Sequence, residues 1–191
     1  MSVITQPTTL SHVFGSSYAK QALRIVGGSL FLVAMAKVAV GGPIPMSLGT
    51  LGVMLVALTL GARESIAAIV LYLAYGAIGF PVFAAPGAAG IAYMLGGTGG
   101  FLVGYLGLAA VTGAAADRGI TRSIPGSVLA ILAGTVILFA CGVAWLTNLY
   151  GFEKAIAWGV TPFIVSEPIK IVLAALIGAG VLKGASRFAR R

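Results

Sequence analysis

Residues 125–149 read PGSVLAILAGTVILFACGVAWLTNL. No charge interrupts this stretch, and 25 helical residues rise about 37 Å at 1.5 Å each, more than the roughly 30 Å of a bilayer's hydrocarbon. A segment of that length and polarity is a membrane-spanning helix. Arg118 and Arg122 precede it, and the only basic residue soon after it is Lys154. The asymmetry extends along the chain. Nine of the twelve basic residues lie in four alternate gaps between apolar runs: Lys20 and Arg24, then Arg63, then Arg118 and Arg122, then Lys183, Arg187, Arg190 and Arg191. Basic residues collect on the cytoplasmic side of spanning helices. The pattern therefore predicts an all-α, polytopic membrane protein with six transmembrane helices and both termini cytoplasmic.

Composition agrees. Apolar residues make up 59% of the 191 and charged residues 8%, against roughly 25% charged in a soluble domain. Six spans of about 20 residues occupy about 120 positions, which leaves no room for a sizeable soluble domain. Three parts are expected: a flexible cytoplasmic tail over 1–19, a transmembrane domain over 20–183, and a basic cytoplasmic tail over 184–191. The net charge of +8 follows from the positive-inside bias and suits anionic inner-leaflet lipid. No basic run interleaved with aromatics points to nucleic acid. His12 and Cys141 are single residues of their kinds, so no metal, cofactor or catalytic nucleophile–base pair is expected. No removable signal peptide is evident.

The expected helices run from about Lys20 to Val40, Leu48 to Leu60, Ser65 to Ile78, Thr98 to Ala116, Pro125 to Leu149, and Thr161 to Leu182. Lys37 is read as snorkelling to the outer headgroups. Gly79 to Gly97 is a long, mostly apolar outer connection with Phe83 and Tyr93. Unpaired backbone in lipid is very costly, so such a loop must line a cavity or be covered by protein. Gly96, Gly100 and Gly104 make one face of the fourth helix smooth, which fits close helix packing first and ligand approach second.

Two charges stand inside the last span, Glu167 and Lys170, with Ser166 beside them and Pro168 between. A charge at bilayer depth costs roughly 2.5–3.5 kcal/mol on insertion scales. At i,i+3 the two side chains are helix neighbours and can pair. Pro168 disturbs the turn between them, which suits a cavity wall better than a plain span.

Four segments resemble a known family. Residues 43–51, PIPMSLGTL, are similar to its P-x-P-x-T-x-Q-T-L. Residues 72–84, YLAYGAIGFPVFA, match its Y-L-x-x-G-x-x-G-L-P-V-F-A closely. Residues 97–105, GTGGFLVGY, are similar to P-T-G-G-Y-L-x-G-F, and residues 162–170, PFIVSEPIK, resemble P-F-I-P-G-D-x-x-K. The family is the biotin-specific substrate-binding subunit of energy-coupling-factor transporters, BioY, and the likeness spans about residues 25–182. It implies a membrane-embedded biotin-binding subunit in the cell's inner (plasma) membrane, without enzyme activity. Such a subunit captures the vitamin outside and works with a transmembrane coupling protein and cytoplasmic ATPases. The alternative is a self-sufficient facilitator or secondary transporter for biotin or a related small carboxylate. Gly49 stands in place of the family's Gln, Gly97 of its Pro, Phe101 of its Tyr, and Glu167 of its Asp. The expected substrate-binding residues are Glu167, Lys170, Tyr93, Phe83, Ser47 and Gly100. Lys170 addresses either the ureido ring beside Glu167 or the carboxylate.

Overall fold

The computed structural model describes residues 9–11 and 17–188; His12, most of the expected N-terminal tail, and Arg190 and Arg191 lie outside them. Helix α1 covers Tyr18–Lys37. A short antiparallel ladder follows, β1 (Ala39–Val40) against β2 (Met46–Ser47), with Ala39 opposite Ser47. Next come α2 (Gly49–Ala77), a short α3 (Gly90–Met94), α4 (Gly99–Asp117), α5 (Ile124–Tyr150), a short α6 (Phe152–Gly159) and α7 (Phe163–Phe188). Five of these, α1, α2, α4, α5 and α7, are long and apolar enough to cross a membrane.

Helix α2 is broken. Gly61 has φ 79° and ψ 179°, far from helical values. An unbroken helix would carry Thr50 and Tyr72 about 33 Å apart at 1.5 Å per residue, yet both line one cavity. The chain therefore turns back at Gly61, and α2 is two arms, 49–60 and 62–77. The left-handed φ favours glycine, and a Cβ there would run into the Asp117 carboxylate. That carboxylate accepts from the Ala62 N–H at 3.0 Å and so caps the second arm from a distant part of the chain.

The first arm is the centre of the molecule. Residues 51–60 are buried almost without exception, as befits a helix apolar all round. Helix α1 lies at the periphery: 17% of its apolar window is buried, against 72% for α2. Lipid-facing side chains such as Leu129, Leu132 and Val136 on α5, and Val172 and Leu176 on α7, are exposed in the protein itself. Ser123 caps α5 by accepting from the Gly126 N–H at 3.1 Å, with Pro125 in the first turn.

Several boundaries differ from the sequence reading. Residues 43–47, between the first two expected helices, include one strand of the ladder because β1 supplies a partner. The outer connections hold α3 and α6. Helix α7 continues to Phe188, beyond the expected end near Leu182, and runs through Pro168 without a break. Pro168 lacks the N–H that would meet the Ile164 carbonyl, and that costs one bond rather than the helix.

At one end, Arg24 of α1 grips Glu64 of α2 through two bonds of 2.7 Å. Both side chains are largely buried, and a paired fork of this kind is among the stronger hydrogen-bonded contacts. This end holds the Gly61 reversal and the Asp117 cap.

Gly61→Ala combines left-handed backbone, worth about 1–3 kcal/mol, with collision against Asp117. It is expected to lower the thermal unfolding midpoint further than Asp117→Ala, whose lost cap costs about 1 kcal/mol. An unchanged midpoint for Gly61→Ala would disprove the reversal.

Candidate functional site

The other end of the bundle carries the polar cluster. Helix α7 places Glu167 and Lys170 one turn apart, and they pair at 2.7 Å between Oε1 and Nζ. Both are more than nine-tenths buried, at 4% and 7% exposure. Lys170 Nζ also donates to the Ser47 carbonyl at 2.8 Å and to Thr50 Oγ1 at 3.1 Å. Thr50 in turn donates to Glu167 Oε1 at 3.0 Å. An ammonium has three donors, and all three are engaged. The carboxylate is different: Glu167 Oε2 is buried and meets no hydrogen-bond donor among the described residues. A buried carboxylate oxygen left without a donor is costly, and this atom is the unsatisfied point of the cluster.

In front of the cluster lies a cavity of about 50 Å³ whose walls include Ser47, Thr50, Tyr72, Phe83, Tyr93 and Tyr105. Thr98, Phe101 and Phe163 also face it. The Glu167–Lys170 pair is not part of the wall. It sits one layer behind, bonded to Ser47 and Thr50, which are. Thr98 Oγ1 is a second buried polar atom without a partner among the described residues.

One side of the cavity is aromatic. Phe83 stacks on Tyr93 with centroids 5.2 Å apart and meets Tyr72 edge-on at 5.6 Å. Each such contact is worth about 0.5–1.5 kcal/mol beyond area burial. Gly76 allows this: a side chain there would overlap the Phe83 ring. The opposite side is set by Gly49. A Cβ at that position would lie 2.7 Å from the Tyr105 hydroxyl oxygen and 3.0 Å from Ser47 Oγ. The Tyr105 hydroxyl thus fills space that any residue larger than glycine would claim.

Of the residues singled out in the sequence, Ser47, Phe83 and Tyr93 line the cavity, and Glu167 and Lys170 back it. Gly100 is elsewhere. A Cβ there would overlap Trp145 of α5, and one at Gly104 would lie 2.9 Å from Leu138. The glycine face of α4 is closed by α5, and Trp145 Nε1 donates to the Gly96 carbonyl at 2.9 Å. Sequence reasoning passed over Thr50, Tyr72, Thr98 and Tyr105. All four stood inside the matched segments, which was a signal. Tyr105 was in addition a hydroxyl one turn from Phe101.

The BioY family model matches residues 6–187. A biotin transporter BioY of Rhizobium etli is 36% identical over 151 residues, covering 74% of this chain and 80% of that protein. Biotin transporter BioY2 of Lactococcus lactis is 34% identical over 162 residues, covering 83% and 88%. Among solved structures, the S-component for biotin from an ECF-type ABC transporter superposes with a TM-score of 0.73. That match covers 86% of this chain and 92% of the other at 23% identity, and shows a shared fold.

The contact between position 49 and Tyr105 is testable by a double-mutant cycle. Gly49→Ala overpacks the wall and is expected to cost about 1–3 kcal/mol in thermal unfolding. Tyr105→Phe removes the obstructing hydroxyl and should recover at least about 0.5 kcal/mol of that loss in the double variant. Strict additivity would show that the two positions do not touch.

Proposed function

The chain belongs to the BioY family, and we propose that it is the membrane-embedded biotin-binding subunit of an uptake transporter. It takes biotin on the outer side of the cell's inner membrane, and a transmembrane coupling protein with cytoplasmic ATPases supplies the energy for import. Six crossings with both termini cytoplasmic belong to the same reading. The reversal at Gly61 supports it, since two arms of α2 running in opposite directions suit two passes. So does the placement of charge. Thr98 and Phe101, at the start of α4, face the cavity, and Arg118 just past its end is about 28 Å away along the axis. On α7, Phe163 faces the cavity, and Lys183 lies about 30 Å further on. Cationic ends remain inside, so the cavity opens outward.

The observation that carries the reading is the buried Glu167 Oε2 with no donor, next to an aromatic-sided cavity. Biotin's ureido ring has two N–H donors and a carbonyl, its sulfur ring is apolar, and its valerate ends in a carboxylate. Glu167 lies one layer behind Ser47 and Thr50 and accepts a ureido N–H once that wall gives way, and a charge-assisted bond of that kind is short and strong. Lys170 holds Glu167 in place and balances its charge. Ser47, Thr50 and Tyr105 supply the neutral donors and acceptors around the ureido group. Phe83 and Tyr93 cover the bicycle. A cavity of about 50 Å³ holds a few waters at about 10–15 Å³ each, so the wall yields as the bicycle enters.

The test is equilibrium binding of biotin to the purified protein in nanodiscs. Tight binding is expected. Removing one partner of a buried hydrogen-bonded charge pair costs about 2–5 kcal/mol, so Lys170→Ala should weaken binding roughly 30-fold or more at 1.4 kcal/mol per decade. A well-folded sample that ignores biotin would sink the reading. A loss below about threefold in Lys170→Ala would remove Lys170 from the site while leaving the family reading intact.

A further inference from the structure

Three voids meet at Pro45. The first is the cavity already described, and Pro45 and Ala84 also border an outer recess of about 460 Å³. That recess is lined by Ala39, Gly41, Gly42, Ala85 and Lys37. A third void, of about 350 Å³, lies between Pro45 and Tyr93. Among the described residues, Lys37 is the one charged residue lining any of the three.

Its position is built rather than free. Lys37 is the last residue of α1, and its Nζ donates to the Phe83 carbonyl at 2.8 Å. Phe83 is the fully buried ring of the aromatic wall, so the ammonium is tied directly to the ligand cavity. One bond leaves two of its three donors available. The sequence reading sent this side chain to the lipid headgroups; the structure turns it back over the mouth.

The inner end of the cavity is unsuited to an anion. Lys170 has spent its three donors on Ser47, Thr50 and Glu167, and the carboxylate oxygen one layer behind the wall, Glu167 Oε2, has no donor among the described residues. Two carboxylates brought together in a buried site repel strongly. A ligand with N–H donors at one end and a carboxylate at the other is therefore oriented, donors inward and acid outward. The recess across Pro45 has the volume for an aliphatic chain, small side chains along its walls, and a cation.

We propose that Lys37 is the residue that recognises the ligand's carboxylate, with the outer recess as the subsite for its aliphatic chain. This assignment rests on biotin being the ligand. It makes Lys37 a determinant of selectivity for the free acid over neutral derivatives, and Lys170 indifferent to that distinction.

The experiment measures biotin and biotin amide binding to the unsubstituted protein, Lys37→Met, Lys37→Arg and Lys170→Ala in nanodiscs. Biotin is expected to bind the unsubstituted protein at least tenfold more tightly than the amide. Lys37→Met should weaken biotin at least tenfold and the amide less than threefold, while Lys37→Arg keeps biotin within about threefold. Lys170→Ala should weaken both ligands by the same factor. Equal losses for both ligands in Lys37→Met would overturn the proposal, showing that Lys37 acts only by holding the Phe83 carbonyl. No loss for either ligand, or equal affinity of the unsubstituted protein for acid and amide, would overturn it as well. Absence of binding of either ligand to a folded, unsubstituted sample would instead overturn the biotin reading beneath it.

Discussion

A carboxylate and an ammonium buried in an apolar helix bundle impose the central constraint on this protein. Each carries a desolvation cost that pairing alone does not offset. The remaining hydrogen-bonding capacity must come from elsewhere in the chain, and it comes from Ser47 and Thr50, more than 110 residues away in sequence. Helix α7 is thereby pinned to β2 and to the start of α2. Those two elements form one side of the cavity, so the interaction that makes the charges tolerable also sets the position of the wall. Among the described residues no donor reaches Glu167 Oε2, so part of the cost of burying this carboxylate is left unmet.

The two ends of the bundle are held in different ways. At the basic end Arg24 and Glu64 share two hydrogen bonds and Asp117 closes the Gly61 reversal, beside an apolar recess of about 410 Å³ bordered by Gly28, Thr59 and Val181. At the other end the backbone is less regular, with a two-rung ladder, two short helices and three voids around Pro45. Local stability in proteins follows contact density and satisfied hydrogen bonds. By that measure the cavity end, with its two-rung ladder and short helices, is the less regular of the two.

Much of this was legible from composition and spacing. Long apolar runs identify spanning helices because lipid tolerates no unsatisfied backbone. Pro125 marks the start of α5, and Glu167 with Lys170 announces itself as an anomaly of cost. The glycines of α4 were read correctly as a packing face, since Trp145 and Leu138 close it. Gly100 nonetheless entered the expected site through its place in a motif, and spacing could not say that α5 occupies its face. Lys37 was assigned to headgroups because a lone lysine near a helix end snorkels by default. The partner that redirects it is a backbone carbonyl 46 residues on, and carbonyls leave no mark in a sequence.

Read alone, the chain specified what each segment must avoid: charge in lipid, bare backbone, a cation on the wrong side. Those are properties of single residues in a solvent, additive along the polymer, so they can be summed without coordinates. Which groups meet across the bundle is a different kind of quantity. The engagement of all three Lys170 donors, the collision that reserves position 49 for glycine beside Tyr105, and the return of Lys37 toward Phe83 depend on distances of a few ångströms between remote segments. Such distances emerge only when the helices pack and their side chains compete for the same space.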